Sequence, residues 1–365
     1  GCAETSYARL ITQLFGDRMY ISNATGCSSI WGGPGATSPY CTDKNGHGPA
    51  WSNSLFEDNA EHGYGMYTAQ KVIRENLAEK THALLAIDWT AAELKEAAQK
   101  WLDTMEDGAA NKEAAKAYIA ALEESICDGC DCDACKLASE ILSQKDYLSK
   151  KSVWIFGGDG WAYDIGFGGV DHVLAQNEDV NIFVFDTEVY SNTGGQASKA
   201  SNIGQVAQFA AAGKETKKKS LAEIAMSYGY IYVAQVAMGA NQAQTLKAIA
   251  EAEAYHGPSL IIGYAPCEMH SIKGGMMHCQ EEMKKAVDCG YWNMFRFDPS
   301  KETGKFTLDS KQPKGGYQEF LMNEARYSRL TREFPERANE LFERNEESAK
   351  ARYEHLLKLV EMYKD

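Results

Sequence analysis

An alternation of short apolar runs with helical stretches, starting near residue 151, constrains the fold of this chain more than any other feature. The apolar runs occupy residues 152–156, 180–185, 231–236 and 259–264, and helical patterns occupy residues 169–176, 221–228 and 242–254. The run at 180–185 is almost continuously apolar, as in parallel strands that are covered on both faces. This alternation predicts an α/β fold with a doubly wound, mostly parallel sheet.

The charge of the chain argues against two classes of partner. Its 365 residues include 51 acidic residues and 37 Lys or Arg residues, a formal net charge of -14. Nucleic acids and anionic membranes select clustered basic residues, so we expect neither as a partner. The sequence has no signal peptide and no apolar run near the roughly 18 residues that span a bilayer, which favours a cytoplasmic location. Because position 1 is Gly rather than Met, we expect a processed product or a piece of a longer polypeptide.

Residues 89–147 differ in composition from the rest of the chain. Ala, Glu, Lys and Leu dominate, and apolar residues recur at helical spacing. The pattern predicts a helical hairpin at 90–106 and 111–126, followed by a third helix near Ala138. We interpret this segment as a helical insertion that interrupts the α/β domain.

The α/β domain is predicted to comprise residues 1–88 and 148–315, followed by a helical C-terminal segment at 316–365. Residues 28–54 are rich in Gly, Ser, Asn and Pro and are predicted to form a long loop, of the kind that is usually functional in compact domains. Three consecutive lysines at 217–219 are predicted to lie in a solvated loop.

A Gly-Gly-Asp-Gly sequence at 157–160 follows the first predicted strand of the alternation and precedes a helix. An open α/β sheet binds its ligands at this position. The glycines allow the backbone to approach a diphosphate, the start of a helix favours negative charge, and Asp159 can hold a divalent cation. Taken alone the motif is weak, because many such tripeptides are simply turns.

A second polar loop strengthens the first. The sequence Asp-Thr-Glu-Val-Tyr-Ser-Asn-Thr-Gly-Gly-Gln at 186–196 follows the next predicted strand, so the two loops leave neighbouring strands and converge. Mg²⁺ prefers octahedral oxygen ligands and commonly shares them with phosphates. A carboxylate from the first loop, a hydroxyl and a main-chain carbonyl from the second, and diphosphate oxygens would meet this preference.

The two loops resemble the thiamine-diphosphate motif, and longer strings resemble the pyruvate:ferredoxin (flavodoxin) oxidoreductases. These strings are Phe-Gly-Gly-Asp-Gly-Trp-Ala-Tyr-Asp-Ile-Gly-Phe-Gly-Gly at 156–169 and Trp-Ser-Asn-Ser-Leu-Phe-Glu-Asp-Asn-Ala-Glu at 51–61. The chain departs from many thiamine enzymes, which have two Asn residues where this chain has Asn192 and Thr193. The resemblance extends over nearly the whole chain and implies a sheet of the thiamine-diphosphate-binding type.

The resemblance also implies cofactor ligands. Asp159, the Thr187 side chain and the Val189 carbonyl would bind Mg²⁺. The residues that would contact thiamine diphosphate are Glu4, Cys27, Gly158, Asp159, Gly160, Trp161, Thr187, Glu188, Val189, Tyr190, Ser191 and Asn192. Asn192 and His47 are the candidate catalytic residues, although His47 could instead shape its Gly-rich loop and Trp161 could instead pack in the core.

Ten cysteines in a chain without a secretion signal favour metal binding over disulfides. In the family that the chain resembles, Cys2, Cys27 and Cys267 match three ligands of a [4Fe-4S] cluster. The fourth ligand would precede Gly1, so we expect it from a longer polypeptide or from a neighbouring chain.

A second group of cysteines has no single predicted role. It consists of Cys127, Cys130, Cys132 and Cys135. Four thiols this close could hold zinc or an iron–sulfur cluster. Their spacing fits neither common pattern well, so a reduced, solvent-facing tip of the insertion is the alternative.

The resemblance implies oxidative decarboxylation of pyruvate with coenzyme A to acetyl-CoA and CO₂, with electrons passing to ferredoxin or flavodoxin. Other domains or chains of the same enzyme, in a homodimer, are expected to complete the site. Three alternatives remain: another 2-oxoacid:ferredoxin oxidoreductase, a non-redox thiamine-diphosphate decarboxylase or synthase, and a non-catalytic electron-transfer or interaction module.

Overall fold

The computed structural model describes residues 2–34, 36, 38–88, 90–127 and 132–365. Its strands are β1 (Met19–Ala24), β2 (Ala50–Ser54), β3 (Ser152–Gly158), β4 (Asn181–Asp186), β5 (Tyr232–Val236), β6 (Ser259–Tyr264), β7 (Phe295–Phe297) and β8 (Phe306–Leu308). They form one sheet in the order β2-β1-β3-β4-β6-β5-β7-β8. The first six strands pair in parallel, and β7 and β8 are antiparallel additions at one edge. The predicted mostly parallel α/β fold is therefore confirmed.

The described residues also form α-helices, several of which pack against this sheet. They are α1 (Glu4–Phe15), α2 (Cys27–Gly32), α3 (Asn59–Leu85), α4 (Ala92–Asp103), α5 (Gly108–Ser125), α6 (Asp133–Leu142), α7 (Phe167–Ala175), α8 (Leu221–Met226), α9 (Gln242–Ala254), α10 (Cys279–Asp288), α11 (Tyr317–Met322), α12 (Ala325–Ser328), α13 (Leu330–Glu333) and α14 (Pro335–Met362). Helix α7 connects β3 to β4, and α9 connects β5 to β6, as the alternating pattern predicts.

Strand β4 lies at the centre of the sheet, and all six of its residues are buried. The rings of Phe183 and Phe185 lie 5.1 Å apart, and Phe156 of β3 packs edge-on against Phe185 at 5.5 Å. Aromatic side chains fill the layer between sheet and helices, which explains why this run of the sequence lacks polar alternation.

The prediction of a loop across residues 28–54 is wrong at both ends of that segment. Helix α2 covers its first residues, and β2 covers its last. Strand β2 is an edge strand that pairs in parallel with β1, and most of its residues are only half-buried or exposed. An edge strand needs little apolar surface, so its sequence, Ala-Trp-Ser-Asn-Ser, carries no strong strand pattern.

The segment predicted to be a helical insertion contributes most residues of a second hydrophobic core, separate from that of the sheet. Helices α4, α5 and α6 confirm the predicted hairpin and third helix, and Trp101 and Tyr118 are fully buried between them. Leu77 and Leu84 from the last turns of α3 belong to the same core, so this helix links the insertion to the α/β domain. Of the four clustered cysteines, Cys130 lies outside the described residues, and the role of the group stays open.

The C-terminal segment packs directly on the α/β core. Phe320, Tyr327, Leu341 and Leu356 are buried in the same cluster as the central strands. Pro335 is the first residue of α14, a position where its missing N–H costs no hydrogen bond. Within the described ranges, no helix combines the length and apolar character needed to cross a membrane.

Candidate active site

The loops at the carboxyl ends of β1, β3 and β4 meet at one point of the sheet. From β1 the chain passes to β2 on one side and then continues at β3 on the other, so β1 and β3 flank a topological switch point. Ligands of open α/β sheets bind at such points. The loops enclose a cavity of about 210 Å³. Its lining residues are Glu4, Thr25, Gly26, Cys27, Ser28, Phe56, Gly158, Asp159, Gly160, Trp161, Thr187, Val189, Tyr190, Ser191, Asn192 and Thr193.

Three oxygens that the sequence predicts as Mg²⁺ ligands lie side by side at this cavity. Thr187 Oγ1 is 2.8 Å from Asp159 Oδ1 and 3.0 Å from the Val189 carbonyl oxygen. Neighbouring ligands of an octahedral Mg²⁺ with bonds of 2.0–2.1 Å are about 2.9 Å apart. The described donor set therefore fits Mg²⁺ both in chemistry and in spacing.

Asp159 is a buried carboxylate whose environment favours a bound cation. Ser198 Oγ donates to its Oδ2 at 2.5 Å, and the Thr187 backbone N–H donates to its Oδ1 at 3.1 Å. Burial raises the pKa of Asp159, and the nearby charge of Asp186 raises it further. A divalent cation at Oδ1 would offset both effects, because it stabilises the charged carboxylate.

The two glycines that flank Asp159 have different roles. At Gly160 a Cβ atom would lie 2.5 Å from the ring of Tyr190, whose hydroxyl donates to the Gly160 carbonyl at 3.2 Å. At Gly158 a Cβ atom would meet only the Phe185 carbonyl oxygen, at 3.9 Å. Gly160 thus allows the two loops to pack closely, and Gly158 leaves the space above the strand ends open for a ligand.

Glu188 does not line the cavity, although the sequence predicts that it binds the cofactor. Its side chain points into the protein, where Tyr291 Oη donates to it at 2.5 Å, Arg326 Nη1 at 2.7 Å and Lys218 Nζ at 2.9 Å. Burial alone would raise the pKa of Glu188, but Lys218 and Arg326 hold it well below its usual range. Its backbone is left-handed, with φ of 59°, between Thr187 and Val189. The carboxylate therefore anchors a strained turn that presents two predicted Mg²⁺ ligands.

The prediction of a solvated loop at residues 217–219 is wrong for Lys218. Its ammonium lies 2.8 Å from Asp186 Oδ2 and 2.9 Å from Glu188 Oε1, and its side chain is 11% exposed. Tyr163 Oη also donates to Asp186 Oδ2, at 2.8 Å. Lys218 thus neutralises two fully buried carboxylates beneath the cavity, and its partners lie too far away in sequence to be inferred locally.

Glu4 brings a second carboxyl group to the cavity wall. It lies in the first turn of α1 and accepts a hydrogen bond from Trp31 Nε1 at 2.8 Å. Burial raises the pKa of Glu4 to about 7. The group is therefore poised between its neutral and charged forms near neutral pH.

The three cysteines matched to an iron–sulfur cluster lie next to Glu4. Cys2 is exposed, Cys27 is half-buried and Cys267 is buried. Burial raises the pKa of Cys27, and the negative charges of Glu4, Cys267 and Cys2 raise it further, which shows that the groups are neighbours. Burial also raises the pKa of Cys267 to about 12. These thiols would need a cationic partner to exist as thiolates at neutral pH.

The three thiols do not converge as tightly as ligands of one metal ion. Among the described residues, one group of three or more potential ligands has all its atoms within 4.8 Å, and it consists of Glu106, Asp179 and His256. In that group the Lys150 ammonium already donates to Asp179 at 2.7 Å, so a cationic side chain is the partner of this carboxylate. Cys2, Cys27 and Cys267 are not such a group.

His47 is not brought to the cavity within this chain. It is exposed and precedes β2, so it lies at the amino-terminal edge of the parallel strands, opposite the loops described above. There it lines a separate surface depression with Arg18, Lys112 and Lys151. Asn192, the other candidate catalytic residue, does line the cavity.

Several lining residues have no counterpart in the sequence-based prediction. Thr25, Gly26 and Ser28 follow β1, which the sequence pattern did not reveal as a strand. Phe56 packs on Tyr190 with ring centroids 5.8 Å apart. These residues could not be placed from the sequence because β1 was not recognised as a strand. In the structure β1 lies beside β3 and carries them to the edge where Asp159 lies.

Comparisons with known proteins agree with this geometry. The family described as "Thiamine pyrophosphate enzyme, C-terminal TPP binding domain" matches residues 135–262. The chain is 52% identical over 366 residues to the pyruvate-flavodoxin oxidoreductase of Klebsiella pneumoniae. It is 53% identical over 364 residues to the pyruvate:ferredoxin oxidoreductase of Moorella thermoacetica. It is 46% identical over 366 residues to the mitochondrial pyruvate dehydrogenase (NADP(+)) of Euglena gracilis.

These alignments include almost all of this chain but only part of each relative. Each covers 99% of the chain, against 30%, 31% and 20% of the three relatives. The chain thus spans less than a third of their length. Over 99% of its length the chain is homologous to one portion of the pyruvate:ferredoxin and pyruvate-flavodoxin oxidoreductases, and its residues 135–262 match the C-terminal domain by which thiamine pyrophosphate enzymes bind their cofactor.

Proposed function

We propose that this chain is the thiamine-diphosphate part of an enzyme that oxidatively decarboxylates pyruvate. The products would be acetyl-CoA and CO₂, and the electrons would pass through a [4Fe-4S] cluster to ferredoxin or flavodoxin. The observation that carries the proposal is the side-by-side position of the Asp159, Thr187 and Val189 oxygens beside a cavity that also holds Glu4 and Cys27.

Asp159, Thr187 and Val189 would supply three ligands to Mg²⁺, and diphosphate oxygens would supply others. When bound, thiamine diphosphate supplies the nucleophilic carbon and the electron sink that decarboxylation of a 2-oxo acid requires. The chain's own contribution is to fix the diphosphate end through the metal. Asn192 lies in the same wall and would orient the bound cofactor.

Glu4 would hold a proton inside the cavity. Its pKa of about 7 allows it to be neutral or charged under working conditions, as expected of a group that donates or accepts a proton. Its hydrogen bond from Trp31 fixes the carboxyl group in place. The remaining contacts with pyruvate, and the second wall of the cavity, would come from other domains or chains of the same enzyme.

Cys2, Cys27 and Cys267 would bind a [4Fe-4S] cluster together with a fourth ligand from outside these residues. Two features support this assignment. Cys27 lines the cavity itself, and the iron charge would offset the burial that disfavours the thiolate of Cys267. A cluster in this position would lie next to the bound cofactor and would accept its electrons one at a time.

The comparisons support pyruvate as the substrate more strongly than they support any one molecule as the electron acceptor. The names of all three relatives include pyruvate, whereas their acceptors are flavodoxin, ferredoxin and NADP(+). We propose ferredoxin or flavodoxin as the acceptor, coenzyme A as the second substrate, and a cytoplasmic homodimer as the full enzyme. Mixing the enzyme with each acceptor, pyruvate and coenzyme A would identify the partner.

Iron and sulfide analysis of the anaerobically purified full-length enzyme tests the redox part. Wild type is expected to contain the cluster and to reduce the acceptor only with pyruvate. Cys267→Ala should lose the iron of this cluster, while Cys289→Ala, a buried thiol away from the cavity, should keep it. An enzyme without iron that still releases CO₂ from pyruvate would instead be a non-redox thiamine decarboxylase.

A further inference from the structure

Ser191 lies where the predicted Mg²⁺ loop meets the loop that carries Cys267. Its Oγ is 3.2 Å from Cys267 Sγ, 3.2 Å from Thr187 Oγ1 and 3.4 Å from the Val189 carbonyl oxygen. A single hydroxyl therefore contacts two oxygens assigned to the metal and one of the three sulfurs assigned to the cluster. The ring of His270, from the same loop as Cys267, adds a separate link to the Thr187 carbonyl at 2.7 Å, but it does not involve the sulfur.

The sheet itself fixes this contact. Strands β4 and β6 are neighbours in parallel register, and their last residues, Asp186 and Tyr264, are paired. Ser191 follows β4 by a short tight loop, and Cys267 follows β6 directly. Because both loops leave adjacent strand ends, the sheet places the hydroxyl and the sulfur close together.

A serine hydroxyl has one proton to donate, so only one of its three neighbours receives it. A Mg²⁺ ion would draw the lone pairs of Thr187 Oγ1 and the Val189 carbonyl toward itself and would repel the Ser191 proton from them. The Cys267 sulfur is then the remaining acceptor. Occupation of the metal site would thus direct the Ser191 proton toward the sulfur.

We propose that Ser191 donates a hydrogen bond to the Cys267 thiolate and thereby couples occupancy of the Mg²⁺–diphosphate site to the reduction potential of the cluster. This inference rests on the proposed role of Cys267 as a cluster ligand. Hydrogen bonds to cluster sulfurs are one of the means by which proteins set cluster potentials. Ser191 is accordingly a positioning residue and not a catalytic one.

The direction of the effect follows from charge. Reduction adds negative charge to the cluster, and a donor at the sulfur stabilises that charge, so the bond favours the reduced state. Cys267 is 7% exposed, and little water is present to screen the interaction. The cluster should therefore be easier to reduce when Mg²⁺ and thiamine diphosphate are bound than when they are absent.

Redox titration of the full-length enzyme, followed by electron paramagnetic resonance, tests the proposal. Titrations are run with and without saturating Mg²⁺ and thiamine diphosphate. Ser191→Ala should lower the equilibrium constant for reduction of the cluster by about threefold to about tenfold. The upper value corresponds to a potential that is lower by about 59 mV for one electron. It should also abolish the dependence of the potential on the cofactor.

Two variants separate loss of the donor from disturbance of the loop. Ser191→Thr keeps a hydroxyl and should restore both the potential and its dependence on the cofactor. Ser227→Ala removes a hydroxyl that donates to the Ile224 carbonyl at 2.6 Å and does not line the cavity, so the potential should stay at the wild-type value.

A wild-type potential in Ser191→Ala at saturating cofactor would overturn the inference, as would a shifted potential that Ser191→Thr fails to restore. The ligand assignment is checked separately, through the iron content of Cys267→Ala. If that variant lacks the cluster while Ser191→Ala has an unchanged potential, only the role of Ser191 is refuted. If Cys267→Ala retains the cluster, the proposed function of Cys267 and the inference both fall.

Discussion

The Glu188 carboxylate and the Arg326 guanidinium form an ion pair at 2.7 Å, with side chains that are 0% and 2% exposed. Glu188 stands in the turn between two predicted Mg²⁺ ligands, and Arg326 lies in α12 of the C-terminal segment. The pair therefore links a helical segment at the end of the chain to the cofactor loop. Its position explains how a left-handed, non-glycine residue is held in place beside the cavity.

Glu188→Gln is expected to destabilise the chain by about 3 kcal/mol, near the lower end of the range for breaking a buried ion pair. The lower end applies because Arg326 keeps Glu324 and Lys218 keeps Asp186 as partners. Denaturant unfolding measures the change. Glu223→Gln, which loses a half-exposed pair with His355, should cost less than about 1 kcal/mol. Equal effects of the two substitutions would contradict the anchoring role.

The lysine triplet at 217–219 offers a comparison within one short segment. Lys218→Met leaves Asp186 without its ammonium partner in a fully buried position and should cost about 3–5 kcal/mol. Lys217→Met changes an exposed side chain and should stay within about 0.5 kcal/mol of wild type. Unfolding midpoints of the two variants, measured side by side, decide whether the triplet is a solvated surface or a structural element.

Glu4 is expected to leave a signature in the dependence of stability on pH. Its pKa is raised from 4.5 to about 7 by burial, so between these values the folded chain holds a proton that the unfolded chain has lost. Stability should therefore fall as pH rises through this window, and the loss should be complete above about pH 7.

Glu4→Gln removes this titration while keeping the acceptor for Trp31. Relative to wild type, the variant should gain about 3 kcal/mol of stability between pH 4.5 and pH 8, the value that the pKa shift implies. Denaturation of both proteins across that range measures the difference. A difference that does not change with pH would show that Glu4 titrates normally.

The sequence was sufficient to predict the central parallel strands and the convergence of the two polar loops that follow β3 and β4. Strands such as β4 are buried on both faces, so nearly all their residues are apolar and the strand is visible as a continuous apolar run in the sequence. The Gly-Asp-Gly turn at 158–160 is also a local signal in the sequence, and at Gly160 the close approach of Tyr190 leaves no room for a Cβ atom.

Other features could not be predicted because their cause lies elsewhere in the chain. Strand β1 contains Ser22 and Asn23, which are fully buried yet satisfied by partners in α2 and α3, such as Ser28 and Asn59. Lys218 is buried between two carboxylates, one at the end of β4 and one in the loop that follows it. Such long-range polar contacts leave no periodic signal in the sequence.

Cofactor binding tests the central claim most directly. Thiamine diphosphate is titrated into the full-length enzyme with and without Mg²⁺, by calorimetry. Asp159→Asn keeps the size of the side chain and removes the charge that would bind the metal, and Asp171→Asn on α7, which contacts Tyr228 away from the cavity, serves as the control. We expect Asp159→Asn to weaken Mg²⁺-dependent binding at least as much as the roughly 10–100-fold loss known for outer-shell partners of metals. The control should bind as wild type does, and equal affinity of Asp159→Asn and wild type would contradict the proposed site.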